Sequence, residues 1–265
     1  MENQKISLAV FDWAGTIVDY GCIAPLEVFY RCFEERGIHL TLDEIRKPMG
    51  LEKKDHIRTL LQTENASAQW KEQFGKAWTE ADVDEIYGSF EDMLAKVVAE
   101  YSQVIPGVLE TMEELRKRGI RIGSTTGYTR EMMEIVTKEA ESCGLIVDSL
   151  VTPTETGIGR PSPFMLYENM RLAGIYPASR VVKIGDTAVD ILEGKNAGAW
   201  TVGVLDGSSA AGMTLEERNS LPESEVKNHL EAARKIYAEA GADYIIDSIS
   251  QLPQVIDEIN KRMEE

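Results

Sequence analysis

Apolar residues along this 265-residue chain follow two rhythms. A short run, Ser7-Leu8-Ala9-Val10-Phe11, has the length and makeup of a buried strand and stops at Asp12. From residue 22 to about 100 the apolar positions recur at helical spacing. Residues 24–36 form one such stretch, and Gly37 provides its stop. Thr41 is placed to cap a short helix with Asp43 and Glu44 in its first turn, which Pro48 ends. Further helices are predicted over about 53–62 and 84–101, with no strand pattern between. The region reads as an all-helical insert.

From Val104 the rhythm changes to short apolar runs alternating with amphipathic stretches. Pro106-Gly107 opens a helix that ends near Gly119, residues 120–124 form a strand, Thr129 caps the next helix, and 146–151 is strand-like. A helix over 163–173, strands over 180–184, 200–204 and 244–246, and helices over 223–240 and 250–263 complete the series. This alternation predicts an α/β fold: a Rossmann-like, doubly wound parallel sheet with helices on both faces and an inserted helical segment. Such sheets bind ligands at the carboxyl ends of their strands, which is where chemistry is to be sought.

Composition narrows the partners. Hydrophobic content of 43% and charged content of 28% are those of an ordinary globular chain. No segment reaches the roughly 18 uninterrupted apolar residues of a membrane span. Residues 1–5 lack the basic start and apolar stretch of an export signal. Cys22, Cys32 and Cys143 form no metal-binding pattern and cannot all pair, so a reducing cytoplasm is the expected setting. A net charge of −17 argues against nucleic acid. An anionic small substrate then needs a metal or a few local cations to hold it.

Four strand ends supply such groups. Asp12 follows the first strand, and Thr125-Thr126-Gly127 follows the second with hydroxyls and N–H groups suited to phosphate oxygens. Arg160 follows the third and is fit for charge-assisted bonds to a phosphoryl group. Gly185-Asp186-Thr187-Ala188-Val189-Asp190 follows the fourth, with two carboxylates on one face of an incipient helix. With Asp12 they make an oxygen-rich site suited to Mg²⁺. Taken singly, each is a common turn, cap or surface residue; the ordered series is far more specific.

One position is anomalous. A carboxylate nucleophile for phosphate esters usually works with a second aspartate two residues on, and general acid catalysis contributes about 10²–10⁴-fold where a proton must reach the leaving group. Here that position is Ala14. The insert offers another device in Lys47-Pro48-Met49-Gly50-Leu51-Glu52-Lys53-Lys54-Asp55-His56. A lysine amine condenses with an aldehyde to an imine, an electron sink that lets a carbon–phosphorus bond break without an oxygen acid.

The ordered strand-end series resembles the haloacid dehalogenase superfamily across essentially the whole chain. Within it, Asp12-Trp13-Ala14-Gly15-Thr16 with Val18-Asp19-Tyr20-Gly21-Cys22, the Lys47–Leu51 stretch with Lys53, Asp55 and His56, Gly123–Arg130 and Gly185-Asp186-Thr187 resemble the motifs of the phosphonatase family. That resemblance implies hydrolysis of phosphonoacetaldehyde to acetaldehyde and phosphate with Mg²⁺. It implies an α/β core of residues 1–21 and 100–265 and a helical cap of 22–99, hinged near 20–22 and 99–105. It assigns Lys53 to the Schiff base and Asp12 to attack on phosphorus, with His56 relaying protons. Asp12, the Ala14 carbonyl and Asp186 would hold the metal, with Thr187 and Asp190 behind them. Thr126, Gly127 and Arg160 would bind the phosphonate, and Met49, Cys22 and Tyr128 would line the pocket beside the lysine.

Ile17 departs from the threonine expected after Thr16 and is expected to pack behind the loop. Lys54 competes with Lys53, but neighbours on a helix point about 100° apart, so one alone should face the site. The family also implies a homodimer through the cap helices; Val28, Phe29 and Phe33 offer apolar side chains either for that contact or for packing within the cap, and the sequence does not separate the two. Two other readings stay open: a phosphatase or phosphomutase of the same fold, and a non-catalytic phosphonate-binding protein. Residues 206–231 receive no assignment.

Overall fold

The computed structural model describes residues 5–264. The first four residues, on which the reading of an absent export signal partly rests, lie outside that range. The chain opens with β1 (Leu8–Phe11) and then runs through the helices of the insert: α1 (Ile23–Glu34), α2 (Leu42–Arg46), α3 (Lys53–Leu61), α4 (Glu64–Phe74) and α5 (Glu80–Val97). It continues as α6 (Val108–Lys117), β2 (Arg121–Thr125), α7 (Arg130–Ser142), β3 (Ser149–Val151), α8 (Pro153–Thr156), α9 (Phe164–Ala173), β4 (Val181–Gly185) and α10 (Ala188–Ala197). β5 (Trp200–Val204), α11 (Leu215–Ser220), α12 (Glu223–Glu239), β6 (Tyr244–Ile246) and α13 (Leu252–Glu264) complete it.

The six strands form one parallel sheet in the order β3-β2-β1-β4-β5-β6. β1 is buried on both faces because its alternate residues enter different cores. Ala9 and Phe11 join one with Val108, Leu115 and Ile256 of α6 and α13, whereas Leu8 and Val10 join another with Leu166 of α9. From β1 the chain winds outward through β2 and β3, then returns to β4 on the other side. The reversal makes a crevice at the carboxyl ends of β1 and β4, the place where doubly wound sheets bind ligands. Phe11 pairs in register with Ser124 and Ile184, so Asp12 emerges between the ends of β2 and β4.

Local physics explains where expectation and structure differ. Helix α4 was not expected, because Glu64-Asn65-Ala66-Ser67-Ala68-Gln69 is polar on most faces. Thr63 caps it by accepting the Ala66 N–H, and only Ala66 and Trp70 are buried. The strand expected over 146–151 shortens to Ser149–Val151, since the Asp148 carboxylate takes the Ile122 N–H and Ile146 lies exposed. Val28, Phe29 and Phe33 lie fully inside the chain, and Phe29 stacks on Phe90 of α5 at 4.3 Å. Of the two roles left open for them, these three side chains take up packing within the insert.

Candidate active site

A small cavity sits at the sheet reversal, between the strand ends and the helical insert. The insert contributes Cys22, Met49, Gly50 and Lys53; the strand ends contribute Asp12, Ala14, Thr126, Gly127, Tyr128, Arg160, Asp186 and Thr187. Nearly all of the residues singled out in the sequence thus meet at one place. Its volume is about 20 Å³, room for about one water. The loop Met49-Gly50-Leu51 closes it from above. A Cβ on Gly50, whose φ is +94°, would lie 2.5 Å from Thr187 Oγ1, and one on Gly127 would lie 2.6 Å from the Leu51 carbonyl oxygen. Glycine at both positions is what lets the two halves touch.

Lys53 is the first residue of α3, whose N-terminus Glu52 caps by accepting the Lys54 and Asp55 N–H groups. Its side chain is 4% exposed and its Nζ lies 4.9 Å from the centre of the Tyr128 ring and 5.8 Å from that of Phe29. Among the described residues no carboxylate pairs with it. Burial holds this amine below the usual lysine range, and the positive end of the α3 dipole acts in the same direction. Burial also pushes up the neighbouring Cys22 thiol. Lys54 turns outward and pairs with Asp84.

His56 stands behind the lysine rather than on the cavity wall. It is fully buried, stacks on Phe29 at 3.9 Å and donates from Nε2 to the Ile45 carbonyl at 2.9 Å. Nδ1 is then the bare acceptor, with no partner among the described residues. Burial first, and the nearby Lys53 charge second, keep the ring well below its ordinary pKa.

On the opposite wall Asp12, Asp186 and Asp190 place carboxylate oxygens within 4.8 Å of one another. Burial and the charges of Asp12 and Asp190 push the Asp186 carboxyl well up, the signature of crowded like charges awaiting a cation. An all-oxygen donor set of this kind fits a hard divalent ion. Asp190 is already engaged, pairing with Lys183 and Arg160 at 2.8 Å each and accepting from the Thr187 hydroxyl. Arg160 donates to Asp12 Oδ1 at 2.6 Å and to Thr125 Oγ1 at 3.1 Å.

Comparison with known proteins fits this geometry. Residues 6–198 match the family model described as haloacid dehalogenase-like hydrolase. A curated relative from Bacillus mycoides named phosphonoacetaldehyde hydrolase is 50% identical over 98% of both chains. One of that name from Bacillus cytotoxicus is 48% identical over the same shares. The chain belongs to the phosphonoacetaldehyde hydrolase family of haloacid dehalogenase-like hydrolases. A crystal structure of a phosphonoacetaldehyde hydrolase-like protein from Oleispira antarctica superposes with a TM-score of 0.95 at 34% identity, covering 97% of this chain and 94% of that one.

The structure adds supporting residues that the sequence reading passed over. Ser209 donates its N–H to Asp186 Oδ2 at 2.8 Å, and the Tyr237 hydroxyl donates to the Asp186 carbonyl. Gly207 accepts the Gly21 N–H at 2.7 Å, and Tyr20 bonds Asp206, so part of segment 206–231 ties the linker after β1 to Asp186. Asp19, at a φ of +54°, joins the same linker to α1 by accepting the Ile23 and Ala24 N–H groups at 2.9 and 3.0 Å. Burial pushes its carboxyl up to about 7. Lys183 offered the clearest overlooked signal: a charged residue within the apolar run Val181-Val182-Lys183-Ile184 demands a buried partner.

Proposed function

We propose that this protein hydrolyses the carbon–phosphorus bond of phosphonoacetaldehyde, releasing acetaldehyde and phosphate. One observation carries the reading. A buried lysine amine without a carboxylate partner shares a single cavity with Asp12, at a site where Ala14 leaves no acid for an oxygen leaving group.

The neutral Lys53 amine attacks the aldehyde carbon; His56 Nδ1 relays a proton from the nitrogen to the carbonyl oxygen, and one further proton from solvent lets that oxygen leave as water, giving a protonated imine. An Asp12 carboxylate oxygen then attacks phosphorus in line, forming an O–P bond as the C–P bond breaks. The departing electron pair enters the imine to give an enamine, so no oxygen needs a proton. Protonation at carbon and hydrolysis release acetaldehyde and Lys53. Water cleaves the aspartyl-phosphate and frees phosphate. Thr126, Gly127 and Arg160 orient the phosphoryl oxygens throughout, Arg160 from the position in which its Nη2 meets Asp12.

Asp12, the Ala14 carbonyl and Asp186 are the groups that would hold Mg²⁺, which when bound offsets the negative charge on the phosphoryl oxygens. Thr187 and Asp190 stand behind them. A cavity of about 20 Å³ admits no phosphonate, so access requires residues 22–99 to move as a cap about linkers near 20–22 and 99–105. The test is turnover with Mg²⁺: phosphate and acetaldehyde should appear in equal amounts from phosphonoacetaldehyde. Faster phosphate release from a simple phosphate monoester would contradict the reading.

A further inference from the structure

Beneath the cavity floor lies a second set of charges that the reaction above does not use. Lys183 and Glu193 are both completely buried. Lys183 Nζ lies 2.8 Å from Asp190 Oδ1 and 3.4 Å from Glu193 Oε2. Glu193 Oε2 lies 3.3 Å from Arg160 Nε and accepts the Thr125 hydroxyl at 3.0 Å. Thr125 Oγ1 in turn accepts from Arg160 Nη2. Arg160 is thus held mainly at its tip: Nη2 donates to Thr125 and Asp12 and Nη1 pairs with Asp190, whereas the Glu193 carboxylate lies 3.3 Å from Nε without making a hydrogen bond to it.

Formal charges explain the arrangement. Two buried cations, Arg160 and Lys183, share Asp190 and Glu193, and Arg160 also reaches a third carboxylate, Asp12. Without Lys183, both carboxylates would compete for the one guanidinium and draw it down from the cavity. Without Glu193, Thr125 would lose the acceptor that orients its hydroxyl oxygen toward Arg160 Nη2. Burial pushes the Glu193 carboxyl up, and Lys183 and Arg160 oppose that push.

We propose that Lys183 and Glu193 are positioning residues that aim the Arg160 fork at the phosphoryl group, Lys183 by occupying the carboxylates and Glu193 by fixing Thr125, which accepts from Nη2. This rests on Asp12 and Arg160 forming the phosphoryl half of the site. It assigns no role to the pair in imine formation at Lys53, which lies on the other wall.

The experiment separates the two walls. Glu193→Gln keeps shape and hydrogen bonds but removes the charge, and the double variant Lys183→Met with Glu193→Gln removes the pair together so that no single buried charge is stranded. Two readouts are taken on the Mg²⁺-loaded protein: inhibition of turnover by inorganic phosphate, and borohydride trapping of acetaldehyde, which carries no phosphonate, on Lys53. Both variants should weaken phosphate inhibition and lower kcat/KM by about 10- to 100-fold, as loss of a supporting shell does elsewhere. Trapping at Lys53 should stay within about twofold. Unchanged phosphate inhibition in both variants would overturn the inference, and so would a parallel fall in both readouts, which marks general disruption. Absence of any Lys53 adduct in the unmodified protein would instead overturn the proposed function.

Discussion

Two lysines are buried near the same cavity in opposite company. Lys53 sits among Tyr128, Phe29 and Cys22 with no carboxylate pairing it among the described residues, whereas Lys183 faces Asp190 and Glu193 at 2.8 and 3.4 Å. Desolvation penalises both ammonium groups, and only one is compensated. Burial lowers the pKa of the uncompensated Lys53 amine, which favours the nucleophile role proposed for it, whereas Lys183 is one arm of an ion-pair network. Burial alone therefore does not mark a reactive lysine, and the carboxylates around it decide its role.

Exchanging charge-preserving residues breaks this contrast most sharply. Lys53→Arg keeps a cation but cannot form an imine, so turnover should fall on the order of 10⁴-fold or more; a kcat within tenfold of the unmodified protein would refute the role of Lys53. Removing divalent ions with a chelator comes next. Turnover should drop at least about 100-fold while acetaldehyde trapping at Lys53 persists, because only the Asp12 wall depends on the ion. Loss of trapping together with turnover would mean the walls are not separable.

Lys183→Met probes the other lysine through stability. Leaving Asp190 and Glu193 short of a cation should cost about 3–5 kcal/mol, read by denaturant unfolding. A smaller effect is expected from pH. Trapping at Lys53 follows the neutral amine and should rise with pH to a midpoint below the ordinary lysine value of 10.5, since burial lowers it; a midpoint at or above 10.5 would contradict the environment described.

The smallest effect concerns the linker between the halves. The Asp19 carboxyl sits at about 7 in the fold against 3.8 for an ordinary aspartate, so the folded state holds its proton more tightly. Its contribution to stability is complete below about pH 4 and is lost as pH rises through 7. Asp19→Asn retains an oxygen for the Ile23 and Ala24 N–H groups. It should flatten that slope and raise Tm at pH 8 by a few degrees; an unaltered slope between pH 4 and 8 would contradict it.

Much of this was legible in the sequence because it is local. A strand ending in Asp12, a Gly-Asp-Thr turn and a lysine after a Met-Gly-Leu turn are short patterns, and the parallel topology then brings the strand ends together. The missing parts depend on distant partners. Glu193 reads as an ordinary helix glutamate until β4 and β2 place Lys183 and Thr125 against it. Ser209 and Tyr237 reach Asp186 only through the return of β5 and the packing of α12. Helix α4 escaped because tertiary contact at Trp70 and a Thr63 cap, rather than an apolar stripe, hold it in place.

The most direct test is chemical. The protein is incubated with phosphonoacetaldehyde, reduced with borohydride and digested, and the modified lysine is located by mass spectrometry. Expected is a two-carbon adduct on Lys53 alone, absent in Lys53→Arg, with Lys54 and Lys183 unmodified. No adduct, or one carried by Lys54 or Lys183, would contradict the assignment of the unpaired buried amine as the reactive one.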